Sequence, residues 1–268
     1  MKTMQQVELA RVRKSLIDAN RTLSQSPDCV EKALFQLEQI LELAGPYSKS
    51  RKMLLRLGKI LLAVSEPAII VPACPDYSHE NGKYTFRSLR GGVSLLSEKH
   101  IDFLKQINAI LPEAKVLFLL ADHEADDPEL CRVVGKTREE FANLVIESVR
   151  ATRKRTEEFG WKVELMTVVI PNLIAEEARI SEWIANNPEF TRRIVSETIS
   201  RGEMYCKISR SFTQKEKELR TIRTAAQYLA LGQFVARSSH LVCNHTTTNL
   251  SWYLRTEAAL IHNPVSVY

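Results

Sequence analysis

The stretch from Ala114 to Pro128, AKVLFLLADHEADDP, constrains the fold of this chain more than any other. Lys115 to Leu120 has the length of a strand and is apolar without alternation. Such a run suits a strand buried on both faces, as in a parallel sheet covered by helices. It stops at Asp122, His123, Glu124, Asp126 and Asp127, just before Pro128. In open α/β sheets ligands bind beyond the carboxyl ends of the strands, so this acidic turn is the first candidate site. Its side chains have four uses: as general acids or bases, as metal ligands, as the mouth of a cation pocket, or as caps of the following helix.

The rest of the chain alternates in a way that fits. Residues 1–65 read as a helical lead-in, with Val7, Leu9, Val12, Leu16 and Ile17 and then Leu34, Leu37, Ile40, Leu41 and Leu43 at helical spacing. A third helix is expected from Ser50 to Val64. Residues 66–268 then run strand (Pro67–Cys74), polar loop (Pro75–Gly82), helix to Leu111, strand (Ala114–Leu120), and a long helix from Thr137 to Phe159. A strand over Trp161–Ile170, further helices at Ile174–Trp183, Pro188–Ser200 and Phe212–Leu231, and a strand at Leu241–Asn244 follow. Regular structure is expected to end at Leu250–Leu254. This is the pattern of a Rossmann-like α/β domain, a parallel sheet flanked by helices.

Composition narrows the function. With 44% hydrophobic and 26% charged residues, the chain has the balance of a folded globular protein. Its apolar runs are too short to span a bilayer, and Met1–Asn20 lacks the apolar core of a secretory signal. Five scattered cysteines without a CxxC point to a reduced, cytoplasmic protein. A net charge of +5 permits a nucleic-acid partner. There is no GxGxxG and no GxxxxGK[ST], so no nucleotide cofactor is expected, although Gly91-Gly92 lets backbone approach a ligand. Cys243 and His245 share a strand face, but with Cys74, His79 and His123 they match no zinc spacing, and no metal is expected.

Two further groups carry chemistry. Arg150, Arg153, Lys154 and Arg155 put four cations in six residues of the long helix, either a ridge for phosphates or a solvated face paired with Glu157 and Glu158. Tyr228, Asn244 and His245, with Thr246–Thr248, set donors and acceptors at a strand end.

Four stretches together resemble the tRNA-dependent cyclodipeptide synthases. They are Gly92-Val-Ser-Leu-Leu-Ser97, Val116–Asp122 with Gly135-Lys-Thr-Arg-Glu-Glu-Phe141, Arg150–Arg155, and Gln227-Tyr-Leu-Ala-Leu231 with Leu241-Val-Cys-Asn-His-Thr-Thr-Thr248. The resemblance spans about Gly91 to Leu254. It implies a Rossmann-like catalytic domain that takes amino acids from aminoacyl-tRNA and joins them, with Arg150–Arg155 holding the tRNA. This sequence departs from the family pattern at several places. Arg90 stands where the family has its nucleophilic serine, and Ser88 takes that place only with an insertion. Tyr228 matches the family tyrosine, but Gly232 replaces the glutamate four residues on, and Asn244 replaces the tyrosine of the last strand. An unchanged route through an aminoacyl-serine is therefore in question. The acidic turn would suit a guanidinium substrate, as in the arginine-containing cyclodipeptide synthases, because carboxylates pair with Arg bidentately.

The expectation is thus an aminoacyltransferase without cofactor. Asp122 or Glu124 would be the base or amine anchor, and His123 and His245 the alternative bases. Tyr228 and Asn244 would orient the substrate, Asp126, Asp127, Gly91 and Gly92 would line its site, and Ser88 is the candidate nucleophile. Two alternatives stand beside it: an isocyanide-synthase-like enzyme acting on a free amino acid, and a non-catalytic RNA-binding module.

Overall fold

The computed structural model describes residues 4–23, 26–45, 49–73, 77–80, 83–86, 98–128, 131–132, 136–194, 213–244 and 258–264. Three amphipathic helices come first: α1 (Met4–Leu23), α2 (Pro27–Leu43) and α3 (Arg51–Ala63). Ser26 and Ser50 cap α2 and α3 by accepting hydrogen bonds from Asp28 N and Met53 N. Strands β1 (Ala68–Ala73), β2 (Tyr77–Glu80) and β3 (Lys83–Phe86) follow, then α4 (Glu98–Ile110), β4 (Lys115–Leu120) and α5 (Arg138–Thr156). After β5 (Lys162–Leu165) come the single turn α6 (Met166–Val169), α7 (Leu173–Ala185), α8 (Gln214–Arg237), β6 (Leu241–Asn244) and β7 (Ala259–His262).

Five strands form one parallel sheet in the order β5-β4-β1-β6-β7, while β2 and β3 pair as a separate antiparallel hairpin. The chain starts in the middle, steps outward through β4 and β5, and returns to the other side of β1. That reversal is the Rossmann-like topological switch point, and the crevice it defines lies beyond Ala73 and Asn244. In chain order α4 lies between β1 and β4 and α5 between β4 and β5, while α7 and α8 pack against each other on the return to β6. β4 is buried as its sequence demands, with Val116, Phe118, Leu119 and Leu120 all in the core. One continuous core joins the sheet to α1–α3, from Val12 and Leu16 through Phe118 to Ile261.

The N-terminal helices also seal an edge of the sheet. Asn263 N–H donates to Asn244 O, so residues of that parity face β6 and the alternate ones face outward. Three outward groups have helix-layer partners: Ala258 O accepts from Arg56 (3.3 Å), Leu260 N–H donates to Met53 Sδ (2.9 Å), and His262 O accepts from Gly45 N–H (2.7 Å). At the opposite edge the Arg153 guanidinium donates twice to Val163 O, at 3.1 and 2.9 Å. Unpaired edge groups invite pairing with other chains, and these bonds occupy four of them.

Four elements differ from the sequence expectation. The strand expected over Trp161–Ile170 ends at Leu165 and turns into α6, because the Asp122 carboxylate accepts from Thr167 N–H at 3.1 Å and winds the chain there. The polar loop Pro75–Gly82 contains β2 of the hairpin. The last helix runs on through Gly232 to Arg237, its start fixed by a Thr213–Glu216 capping box. Finally β7 lies beyond the expected end of regular structure, and all four of its residues are buried.

A buried His–Glu pair as the candidate functional site

The turn after β4 winds as a 3-10 helix over Asp122–Asp126 and is gripped from three elements. From α6, Thr167 engages both carboxylate oxygens of Asp122. From α7, Glu177 Oε1 lies 3.4 Å from His123 Nε2, with the two side chains only 10% and 4% exposed. From α8, Arg223 pairs with the buried Asp127 at 3.0 Å, and the Gln227 amide lies beside His123. Arg223 and Gln227 are four apart and share a helix face.

Burial pushes the His123 imidazole below its ordinary value, since a charged ring away from water is costly. Asp122, the Gln227 amide and Asp126 pull the other way, and Arg223 adds to the depression. The ring is thus neutral near pH 7, the form a general base requires. Among the described side chains four carboxylates (Asp122, Asp126, Asp127, Glu177) meet two guanidiniums, Arg138 and Arg223. The cluster keeps a formal negative excess that favours a cationic visitor.

Several residues expected at a site have other tasks. Asp126 and Asp127, expected to meet a substrate cation, pair with the protein's own Arg138 and Arg223. Asp122 anchors α6. The Glu124 backbone belongs to the turn, and its side chain lies outside the described residues, as do Ser88, Gly91, Gly92 and His245. Tyr228 is half-buried against the core. Asn244 is buried at the end of β6, two strands from β4 and hence about 10 Å away across β1.

The basic helix divides as well. Arg153 is bound to β5 and to Glu164, whereas Arg150 and Lys154 are exposed with no ion pair among the described residues. Lys154 and the half-buried Arg155 border a groove of about 660 Å³, where Lys105 sits 4.3 Å over the Phe159 ring. Asp102, Glu157 and Glu158 line the same groove, so its charge is mixed.

The sequence reading did not single out Glu177, Thr167, Arg223 or Gln227 as site residues. Glu177 carried a readable signal. It interrupts the buried stripe Leu173, Ile180, Ile184 of α7, where an acid is kept only with a partner.

Fold and cluster together define a parallel, Rossmann-like α/β protein with a buried His–Glu pair at the carboxyl end of its sheet. Set against known proteins, the chain matches no family model, no curated protein and no solved structure.

Proposed function

We propose that the chain is an aminoacyl-transferring enzyme that joins amino acids by an amide bond, with aminoacyl-tRNA as donor and a dipeptide, linear or cyclised, as product. The observation that carries this reading is the buried His123–Glu177 pair in an acid-rich turn beyond the carboxyl end of the sheet. An aminoacyl ester is already activated, so the protein has only to hold the amine, take its proton and stabilise the oxyanion. Neutral His123 accepts the amine proton as the C–N bond forms. The ester C–O bond then breaks, and the proton returns to the departing ribose oxygen. The negative excess of the cluster suits an amine or a guanidinium.

The reach of α5 supports an extended donor. Arg138 touches the site through Asp126, and Arg150 and Lys154 lie 12 and 16 residues further along the same helix, roughly 18–24 Å at 1.5 Å per residue. A tRNA acceptor arm spans that distance and a free amino acid does not. The mixed charge of the neighbouring groove favours a second reading, in which a free amino acid is the substrate and the two cations are merely solvated.

The test is mass spectrometry of products after incubating the protein with a charged tRNA mixture. The expected result is a dipeptide-sized mass that is lost with His123→Asn. A product unchanged in that variant, or none from the wild type, refutes the reading. RNA binding that weakens steeply with salt, and less steeply in the Arg150→Ala/Lys154→Ala variant, separates the tRNA donor from the free amino acid.

A further inference from the structure

We propose that Glu177 is the positioning residue of this site: its carboxylate keeps the proton of His123 on Nε2 and leaves Nδ1 as the atom that accepts a proton. Oε1 of Glu177 stands 3.4 Å from Nε2, and burial shields both side chains from water. A carboxylate facing a neutral imidazole selects the tautomer with hydrogen between them, because the other sets a lone pair against a negative charge. The remaining charged or polar groups about the ring are Asp122 and Asp126 from its own turn and Arg223 and Gln227 from α8. Asp122 is committed to Thr167, Asp126 to Arg138 and Arg223 to Asp127, which leaves the Gln227 amide and the Glu177 carboxylate at the ring, and of these two only Glu177 carries the charge that distinguishes the tautomers.

The step that Nδ1 serves rests on the transfer reading, whereas the tautomer does not, and it is measurable without substrate. The experiment is long-range ¹H–¹⁵N NMR of the full chain labelled at histidine nitrogens, with His123→Asn assigning the signal. The wild type is expected to carry its proton on Nε2. Glu177→Gln is expected to lose that preference and to titrate lower, since a carboxylate 3.4 Å from Nε2 that favours the imidazolium is gone. Glu177→Asp keeps the charge and restores part of the shift. With a competent substrate, Glu177→Gln lowers kcat about 10- to 100-fold at similar KM, the usual scale for an outer residue that orients a ligand or base. A wild-type ring protonated on Nδ1, or a midpoint that Glu177→Gln does not move, overturns the proposal. A ring that behaves as stated in a protein that makes no amide leaves Glu177 in its role and removes the transfer reading instead.

Discussion

Gly45 follows α2, and its substitution by alanine pits two effects of known sign against each other. Its φ is not positive, so Gly45→Ala is conformationally permitted, and restricting the unfolded chain alone would stabilise by about 0.4–1 kcal/mol. Against this, a Cβ at Gly45 would fall on Nδ1 of His262 and lie 2.7 Å from its Cε1. His262 is 4% exposed, and its strand is bonded to β6 on one side and to Gly45 itself on the other. The ring has no room to swing away, and overpacking of this kind costs about 1–3 kcal/mol. The clash therefore wins. For 268 residues, with unfolding entropy near 2.1 cal/mol/K per residue, the melting temperature should fall by up to about 5 °C. The decisive assay is a double-mutant cycle followed by urea and thermal unfolding. In a His262→Ala background the obstacle is gone, and Gly45→Ala should become neutral or stabilising. The same loss in both backgrounds would refute the steric argument.

Other consequences are equally open to measurement. His123, His100 and His240 are all lowered from 6.5, chiefly by burial, so the unfolded chain binds more protons as the pH drops below that value. Their contribution to stability is complete above about pH 6.5 and is lost as the pH falls toward their folded values. The urea midpoint should therefore be lower at pH 5.5 than at 7.5, and His123→Asn should flatten the difference. Arg223→Met leaves the buried Asp127 carboxylate without its ion-pair partner and should cost about 1–3 kcal/mol. Asp127→Asn should cost less, because Arg223, 44% exposed, regains water; the order of the two urea midpoints decides. The Cys243 thiol, fully buried, is pushed up to about 12, and Cys131 is also raised by burial. Iodoacetamide footprinting of the native protein should label half-buried Cys29 well before either.

The sequence disclosed what local physics decides. The apolar run of β4 and the Thr137–Glu140 capping box of α5 need only neighbouring residues, and both stand where the pattern puts them. α5 half hid its buried face, because Ser148, Thr152 and Thr156 share it with Phe141, Val145 and Val149. The two threonine hydroxyls donate to carbonyls one turn back, at 2.6 and 3.0 Å. β7 was illegible for a different reason. Ala258-Ala259 have little intrinsic strand preference, and the strand exists through bonds to β6 and to residues two hundred positions earlier. The acidic turn was legible as a place but not as a set of partners. Thr167, Glu177 and Arg223 reach it only through the fold, and they decide that three carboxylates hold the turn together while His123 and Glu177 face each other.

The sealed edges set a boundary that residue numbers alone would misplace. A cut near residue 65 looks like a division between two modules, yet residues on its two sides are joined by hydrogen bonds to the main chain of the last strand. Expressing residues 66–268 alone would bare two backbone groups of β7 and the adjoining Ala258 carbonyl at once, each able to bind a strand from another molecule. With α2 and α3 in place those three groups are occupied, as Val163 O is by Arg153 at the far side. Strand addition at the β7 edge therefore requires α2 and α3 to leave it first.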